Sequence, residues 1–339
     1  MIKAYWHNND QSEAQFLQPN FFSPKSQLWL EAELPCVEFP IKINITALCN
    51  NATVFTKTYL IEGPENDFTF EVFASSKTIL LKDIVPTLEN RPGKLQVEIC
   101  TAQNTLTESI ACEYATISGK ITNFSGKPFP AAVIFGKHSF EGIESGMGVW
   151  SDMDGNYAIT LPKGEYNSIF VDDESYAKTS LEAWCWKMLI DQDETHDFKI
   201  GNAEVYSLNV CANNGGPGTL FVAFRPMALS YCLNPTTYDA KVNDKNYSVV
   251  NTCPDIDISE ILVTINGRWA SNVSLQKIIE TGLDGTAMPL YILQIERLVG
   301  AGKQTLVLEY DFVDTNGERI QSQGITQFYY TNPYGLAVR

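Results

Sequence analysis

The chain has 339 residues, enough for two or three domains, and 44% hydrophobic residues with 18 Phe, 15 Tyr and 6 Trp supply an apolar core for each. Its 24 basic residues stand against 40 acidic ones, a formal net charge of -16 that repels phosphate backbones and anionic lipid alike, so nucleic acid and membrane-surface partners are set aside. No run of 18 apolar residues is present, so no membrane insertion is expected, and Met1-Ile-Lys-Ala-Tyr-Trp-His lacks the apolar core of a signal peptide, which leaves a cytoplasmic location as the default expectation.

The first block, about 1–115, alternates apolar and polar residues with period two in Gln27 to Leu34, Ile41 to Leu48, Phe68 to Phe73 and Lys94 to Cys100. That period belongs to a sheet with one face buried. The second block, 116–232, opens with Ile117 to Phe135 and Ser151 to Tyr166, where short alternating runs are separated by Gly126-Lys127-Pro128, Asp154-Gly155-Asn156 and Pro162-Lys163-Gly164. Such punctuation predicts antiparallel strands joined by tight reversals. The block continues through Glu204 to Val210, a turn at Asn213 to Gly218, and Thr219 to Phe224.

Gly119, Gly126, Pro128, Ala131, Ala132, Asp152, Gly155, Tyr157, Leu161, Pro162, Gly164 and Tyr166 reproduce a known pattern: a strand with Gly, a Gly-x-Pro turn, an Ala-rich strand, Asp-x-x-Gly-x-Tyr and Leu-Pro-x-Gly-x-Tyr. The segment resembles the carboxypeptidase regulatory-like family, a transthyretin-like, carbohydrate-binding-like sandwich related to the B repeats of bacterial collagen adhesins. That resemblance covers about a third of the chain and implies a non-catalytic accessory or binding module. The chain departs from the pattern at 138–150, a longer link, and after Ile200.

Three constellations in this block bear on chemistry. His138-Ser-Phe-Glu141 has the His-x-x-Glu spacing that opens the zinc signature of carboxypeptidases, and His196 is the one later histidine. A small zinc site of His138, Glu141 and His196 would have three N/O ligands, against the plainer reading of a solvated turn. Asp191-Gln-Asp-Glu-Thr-His-Asp197 spaces its carboxylates like a calcium loop, but it lacks the glycine at position six and the glutamate at position twelve, and reads as an acidic hairpin tip. No cofactor or functional metal is expected.

Trp184 and Trp186 flank Cys185. If Ser180 to Ile190 is a strand, both indoles share a face with Glu182 and Met188, while Leu181, Ala183, Cys185 and Leu189 face the other way. Such a face would bury against a neighbouring domain or form a platform for a sugar ring. A helical reading would instead bury one Trp with Cys185. These three residues, Trp184, Trp186 and Glu182, are the candidate ligand-binding set. The catalytic set is empty: there is no Gly-x-Ser-x-Gly elbow and no phosphate loop, and His7, His138 and His196 have no motif-spaced Ser or Cys.

The third block, 233–339, contains Ile261 to Ile265 followed by Asn266-Gly267, a strong hairpin signal. Leu275, Ile278 and Ile279 share one face of a predicted helix over Ser274 to Glu280, with Gly282 as its stop. Leu298 to Arg319, a glycine-containing turn leading into an alternating strand and Asp-x-x-Gly, is similar to the terminal strands of bacterial immunoglobulin-like domains, and Arg91 to Ile99 echoes it in the first block. The eight cysteines form no CxxC pair and are expected to be reduced core thiols.

The expected architecture is all-β: three consecutive β-sandwich domains, 1–115 and 233–339 immunoglobulin-like and 116–232 regulatory-like. The expected function is a non-catalytic binding or structural module for a carbohydrate or protein partner. The alternative is an unrecognised hydrolase with a carboxylate pair or a small metal site.

Overall fold

The computed structural model describes residues 2–8, 26–64, 70–73, 75–84, 92–135, 148–212, 218–282, 285–297 and 300–330. In the first block the period-two runs form β1 (Ile2–Asn8), β2 (Ser26–Glu33), β3 (Ile41–Cys49), β4 (Ala52–Ile61), β5 (Phe70–Phe73), β6 (Thr78–Ile84), β7 (Lys94–Cys100) and β8 (Thr105–Ala111). They make two four-stranded sheets, ordered β1-β2-β6-β5 and β4-β3-β7-β8. Alternation decides which face turns inward. Ile41, Ile43, Ile45 and Ala47 of β3 are buried with Leu95, Val97 and Ile99 of β7 against Leu30, Ile79 and Leu81 of the other sheet, which makes a β-sandwich.

The central block supplies β9 (Tyr114–Asn123), β10 (Ala132–Phe135), β11 (Gly148–Trp150), β12 (Asn156–Pro162), β13 (Gly164–Asp172), β14 (Ala183–Ile190), β15 (Glu194–Thr195) and β16 (Phe198–Ile200). Its reversals are stabilised by short acidic side chains. Asp152 Oδ1 accepts the backbone N–H groups of Asp154 at 2.9 Å and Asn156 at 2.8 Å, and Asp314 Oδ1 repeats the device on Asn316 and Glu318. After β14 the chain runs back along β9, and both β15 and β16 pair with β9 in parallel. The acidic stretch that resembles a calcium loop is spent on this pairing. Asp193 and Asp197 accept the N–H groups of Thr116 at 2.7 Å and Lys120 at 2.8 Å.

The rest of the chain supplies β17 (Ala203–Ala212), β18 (Thr219–Ala228), a short helix α1 (Leu229–Leu233), β19 (Thr236–Val242), β20 (Lys245–Asn251), β21 (Ile261–Ile265), β22 (Arg268–Trp269), β23 (Asn272–Thr281), β24 (Thr286–Glu296), β25 (Gly302–Val313) and β26 (Arg319–Tyr330). Asn266 and Gly267 form the expected hairpin turn, both at positive φ. The predicted helix over Ser274 to Glu280 is instead the middle of β23, paired with β24 from Asn272↔Ile295 to Thr281↔Ala287. The β-branched Val273, Ile278, Ile279 and Thr281 suit a pleated edge strand, and the ladder to β24 outweighs the helical spacing of three apolar residues.

The central and third blocks share one sheet, ordered β11-β10-β13-β14-β26-β25-β21-β22. Its joint is the parallel pair β14–β26, with Trp184 beside Gly324, Cys185 beside Ile325 and Trp186 beside Thr326. On one face β12, β9, β15 and β16 cover Val133, Ile169, Val171 and Cys185, and Ile325 of β26 completes that core. On the other face lies a six-stranded sheet, β17-β18-β24-β20-β19 with β23 on β24, which buries Val205, Val222, Phe224 and Leu293 against Val263, Leu308 and Tyr310. Strands β17 and β18, placed in the central block by sequence, therefore pair with and pack into the third. Core membership changes near Ile200 to Ala203, well before residue 232. Gly324 makes the joint close: a Cβ there would lie 2.5 Å from Val205 Cβ. No helix among the described residues is long and apolar enough to cross a membrane.

Candidate functional site at the seam of two sandwiches

Trp184 and Trp186 sit on β14 at the shared seam. Their rings stack with centroids 4.5 Å apart and 12° between planes, and Tyr206 of β17 stands edge-on to both. Phe170 of β13 meets Trp184 at 5.2 Å. Each indole N–H crosses the seam: Trp184 Nε1 donates to Glu204 Oε2 at 3.3 Å, and Trp186 Nε1 to the Val205 carbonyl at 3.2 Å. Trp184 is 7% exposed and Trp186 half-buried, so the pair is engaged by the neighbouring sandwich along its inner side. Met188 does not share this face. Lys187 has a positive φ of 52°, the strand turns over there, and Met188 enters the central core with Cys185.

Three carboxyl groups gather beside the indoles: Asp172 at the end of β13, Glu182 just before β14, and Glu204 on β17, with exposures of 5%, 2% and 4%. Burial, the hydrogen bond to Glu204 and the charges of Glu204 and Asp172 push the Glu182 carboxyl up to about 10. It is therefore protonated at neutral pH and donates to Glu204. Burial, with Asp173 nearby, pushes Asp172 up to about 6, and among the described residues its Oδ1 has no hydrogen-bond partner. Burial and the charges of Glu182 and Glu204 likewise raise the Tyr176 phenol.

On the opposite flank, Glu194 of β15 binds the third block. Its carboxylate meets Lys303 of β25, Gln327 Nε2 at 2.9 Å and His196 Nε2 at 2.9 Å, while Lys303 also reaches Asp191 and, at 3.1 Å, the Leu189 carbonyl. Although burial alone would raise it, the hydrogen bonds from His196, Lys303 and Gln327 hold Glu194 down at about 2. His196 is thus a buried structural partner of Glu194, and its carbonyl accepts the Tyr157 hydroxyl at 2.7 Å. His138 and Glu141 lie outside the described residues. Among the described residues, no group of three or more His, Cys, Asp and Glu is arranged to hold a metal.

An open cleft of about 310 Å³ lies at the end of the same seam. Asn123 and Phe124 close β9, Phe129 follows the next turn, Thr179 precedes β14, and Arg319 and Gln321 open β26. Gly201 lets the walls meet, because a Cβ there would collide with the Gln321 carbonyl and touch Phe124. Asn202 Oδ1 accepts the Gln321 N–H at 3.1 Å and locks the link before β17 to β26. Sequence reading passed over this cleft, since its residues come from four separate segments and none stands in a motif.

All eight cysteines are free thiols. Cys185 and Cys253 are core residues as expected, but Cys211 is exposed and the other five are half-buried.

No known protein family matches the chain, and no curated protein matches it either. Solved structures similar to it include a Bacteroides uniformis protein described as a candidate carbohydrate-binding protein, at 13% identity over 64% of this chain and 99% of that one, with a TM-score of 0.22. A streptococcal ancillary pilin aligns at 9% identity over 98% of this chain and 97% of the pilin, with a TM-score of 0.20. The N-terminal eight immunoglobulin domains of the Down syndrome cell adhesion molecule align at 11% over 88% of this chain and 38% of that one, with a TM-score of 0.15. At these scores the alignments carry no argument about function.

Proposed function

We propose that the protein is a non-catalytic binding module in which the central sandwich, of the carboxypeptidase regulatory-like kind, and the third sandwich act as one stiff body that presents a ligand site at their seam. The observation that carries this reading is where the reactive groups are spent. Trp184, Trp186, Glu182, Glu204 and Glu194 all face across the seam and hold it closed, whereas the cleft at its end is open and lined by amide, guanidinium and phenyl groups. A carbohydrate suits such a lining, and a protein partner is the other ligand class the module would serve.

The hydrolase alternative has one feature in its favour, the Glu182–Glu204 pair. Glycosidase carboxyls stand about 5–5.5 Å or more apart so that a sugar and water fit between them. Here the two are in direct hydrogen bond and nearly inaccessible, which suits a joint better than a reaction centre. Screening the purified protein on a glycan array, then incubating it with any captured glycan, tests the reading. Retention without release of reducing ends is expected. Turnover would move the protein to the hydrolases, and the absence of glycan capture together with a protein captured from its own source would leave the protein-binding form of the reading.

A further inference from the structure

We infer that the seam cleft is a site for a neutral saccharide, one ring lying against Phe124 and Phe129 with adjacent hydroxyls on Asn123, Thr179, Arg319 and Gln321. The inference rests on the binding-module reading and adds to it the residues that hold the ligand and the restriction to a neutral saccharide.

The first argument is preorganisation. Asn123 Oδ1 already accepts from Ser125 N at 3.0 Å, Ser125 Oγ at 2.8 Å and Lys127 N at 3.0 Å, so the side chain is fixed by its own turn. Arg319 uses Nε and Nη2 on the two Asp311 oxygens at 2.7 and 2.8 Å, and Gln321 Nε2 donates to the same carboxylate at 3.0 Å. What each retains is one unspent group. Among the described residues, Asn123 Nδ2, Arg319 Nη1, Gln321 Oε1 and Thr179 Oγ1 have no hydrogen-bond partner. Two donors, one acceptor and one hydroxyl that does either are the complement of neighbouring sugar hydroxyls, each of which donates and accepts.

The second argument is charge. Arg319 is neutralised by Asp311, and Lys199, whose ammonium sits 5.7 Å over the Phe124 ring, is neutralised by Glu309 at 2.9 Å. Among the described residues, the cleft therefore offers no uncompensated cation to a phosphate or uronate. Its volume of about 310 Å³ lies at the small end of ligand sites, which run from roughly 300 Å³ upward, and suits one or two rings of a chain that continues into solvent. The phenyl groups give an apolar surface to the C–H face of a ring, the part of a sugar that gains from leaving water.

Isothermal titration of the whole protein with cellotriose, maltotriose, xylotriose, chitotriose and trigalacturonate, against Phe124→Ala, Gln321→Ala and Trp269→Ala, tests the proposal. Trp269 is an exposed aromatic on β22, the edge strand of the shared sheet, and does not line the cleft. At least one neutral trisaccharide should bind, with affinity reduced roughly three- to tenfold or more by either cleft substitution and unchanged by Trp269→Ala. Neutral binding that the cleft substitutions leave intact would overturn the site while sparing the binding-module reading. Binding of trigalacturonate alone, or of none of the five, would overturn the ligand class. Circular dichroism of each variant separates lost binding from lost fold.

Discussion

Glu182 donates its carboxyl proton to Glu204 across the seam, carboxyl to carboxyl, in a place where both are nearly inaccessible to water. An ionised pair would put two buried like charges in contact, so the retained proton is a condition of the joint.

That proton makes the joint sensitive to alkali. Glu182 has a folded value of about 10 against an ordinary 4.5, so between these the folded protein holds a proton that the unfolded chain has released. Its contribution to stability is complete below about pH 4.5 and falls as pH rises toward 10, by at most about 1.4 kcal/mol per pH unit. Asp172, raised to about 6, acts in the same sense over a narrower range. Glu182→Gln keeps a donor for Glu204 and removes this titration. Urea unfolding from pH 5 to pH 9 should show the variant gaining on the wild type with each step, and a constant gap would contradict the shared proton.

Glu194 works in the opposite direction. Its folded value of about 2 lies below the ordinary 4.5, so its contribution is present above pH 4.5 and is lost as pH falls through 2. Wild type should lose stability over that acid window with a slope that Glu194→Gln lacks. Lys303→Met, which strands Glu194 with His196 and Gln327 as its remaining partners, should cost about 3 kcal/mol at pH 7, the low end for a broken buried pair. Equal acid slopes in wild type and Glu194→Gln would remove Glu194 from the account.

Truncating the tryptophans should be felt unequally. Trp184 is nearly inaccessible and touches Phe170, Trp186, Tyr206 and Glu204, so Trp184→Ala should cost about 3–5 kcal/mol. Trp186 is half-buried, and its loss should cost about half as much. Unfolding free energies measured side by side check the order. Unchanged stability in Trp184→Ala would favour a ligand platform over a joint.

Local pattern carried the strands and most turns. The alternation in Ile117 to Phe135 and Ser151 to Tyr166 became β9, β10, β12 and β13, and Asn266-Gly267 became a hairpin turn, because period and turn chemistry are written in neighbouring residues. The helix over Ser274 to Glu280 failed because its ladder partner, β24, lies in another segment. Met188 was put on the wrong face because a positive φ at a lysine has no sequence signature. The site was the least legible part. Trp184 and Trp186 stood out as residues, but Glu204, Tyr206 and the β14–β26 pair that gives them meaning come from distant strands, and the cleft is assembled from fragments of four segments.

The fused seam is most directly tested by hydrogen-exchange mass spectrometry on wild type and Gly324→Ala, where the added methyl would strike Val205 and push β17, in the facing six-stranded sheet, off the shared sheet at a cost of about 1–3 kcal/mol. Exchange should quicken together in Ala183–Ile190, Ala203–Ala212 and Arg319–Tyr330, while Ile41–Cys49 of the first sandwich stays as protected as before. Faster exchange confined to β17 and β26, with Ala183–Ile190 unchanged, would contradict a single body.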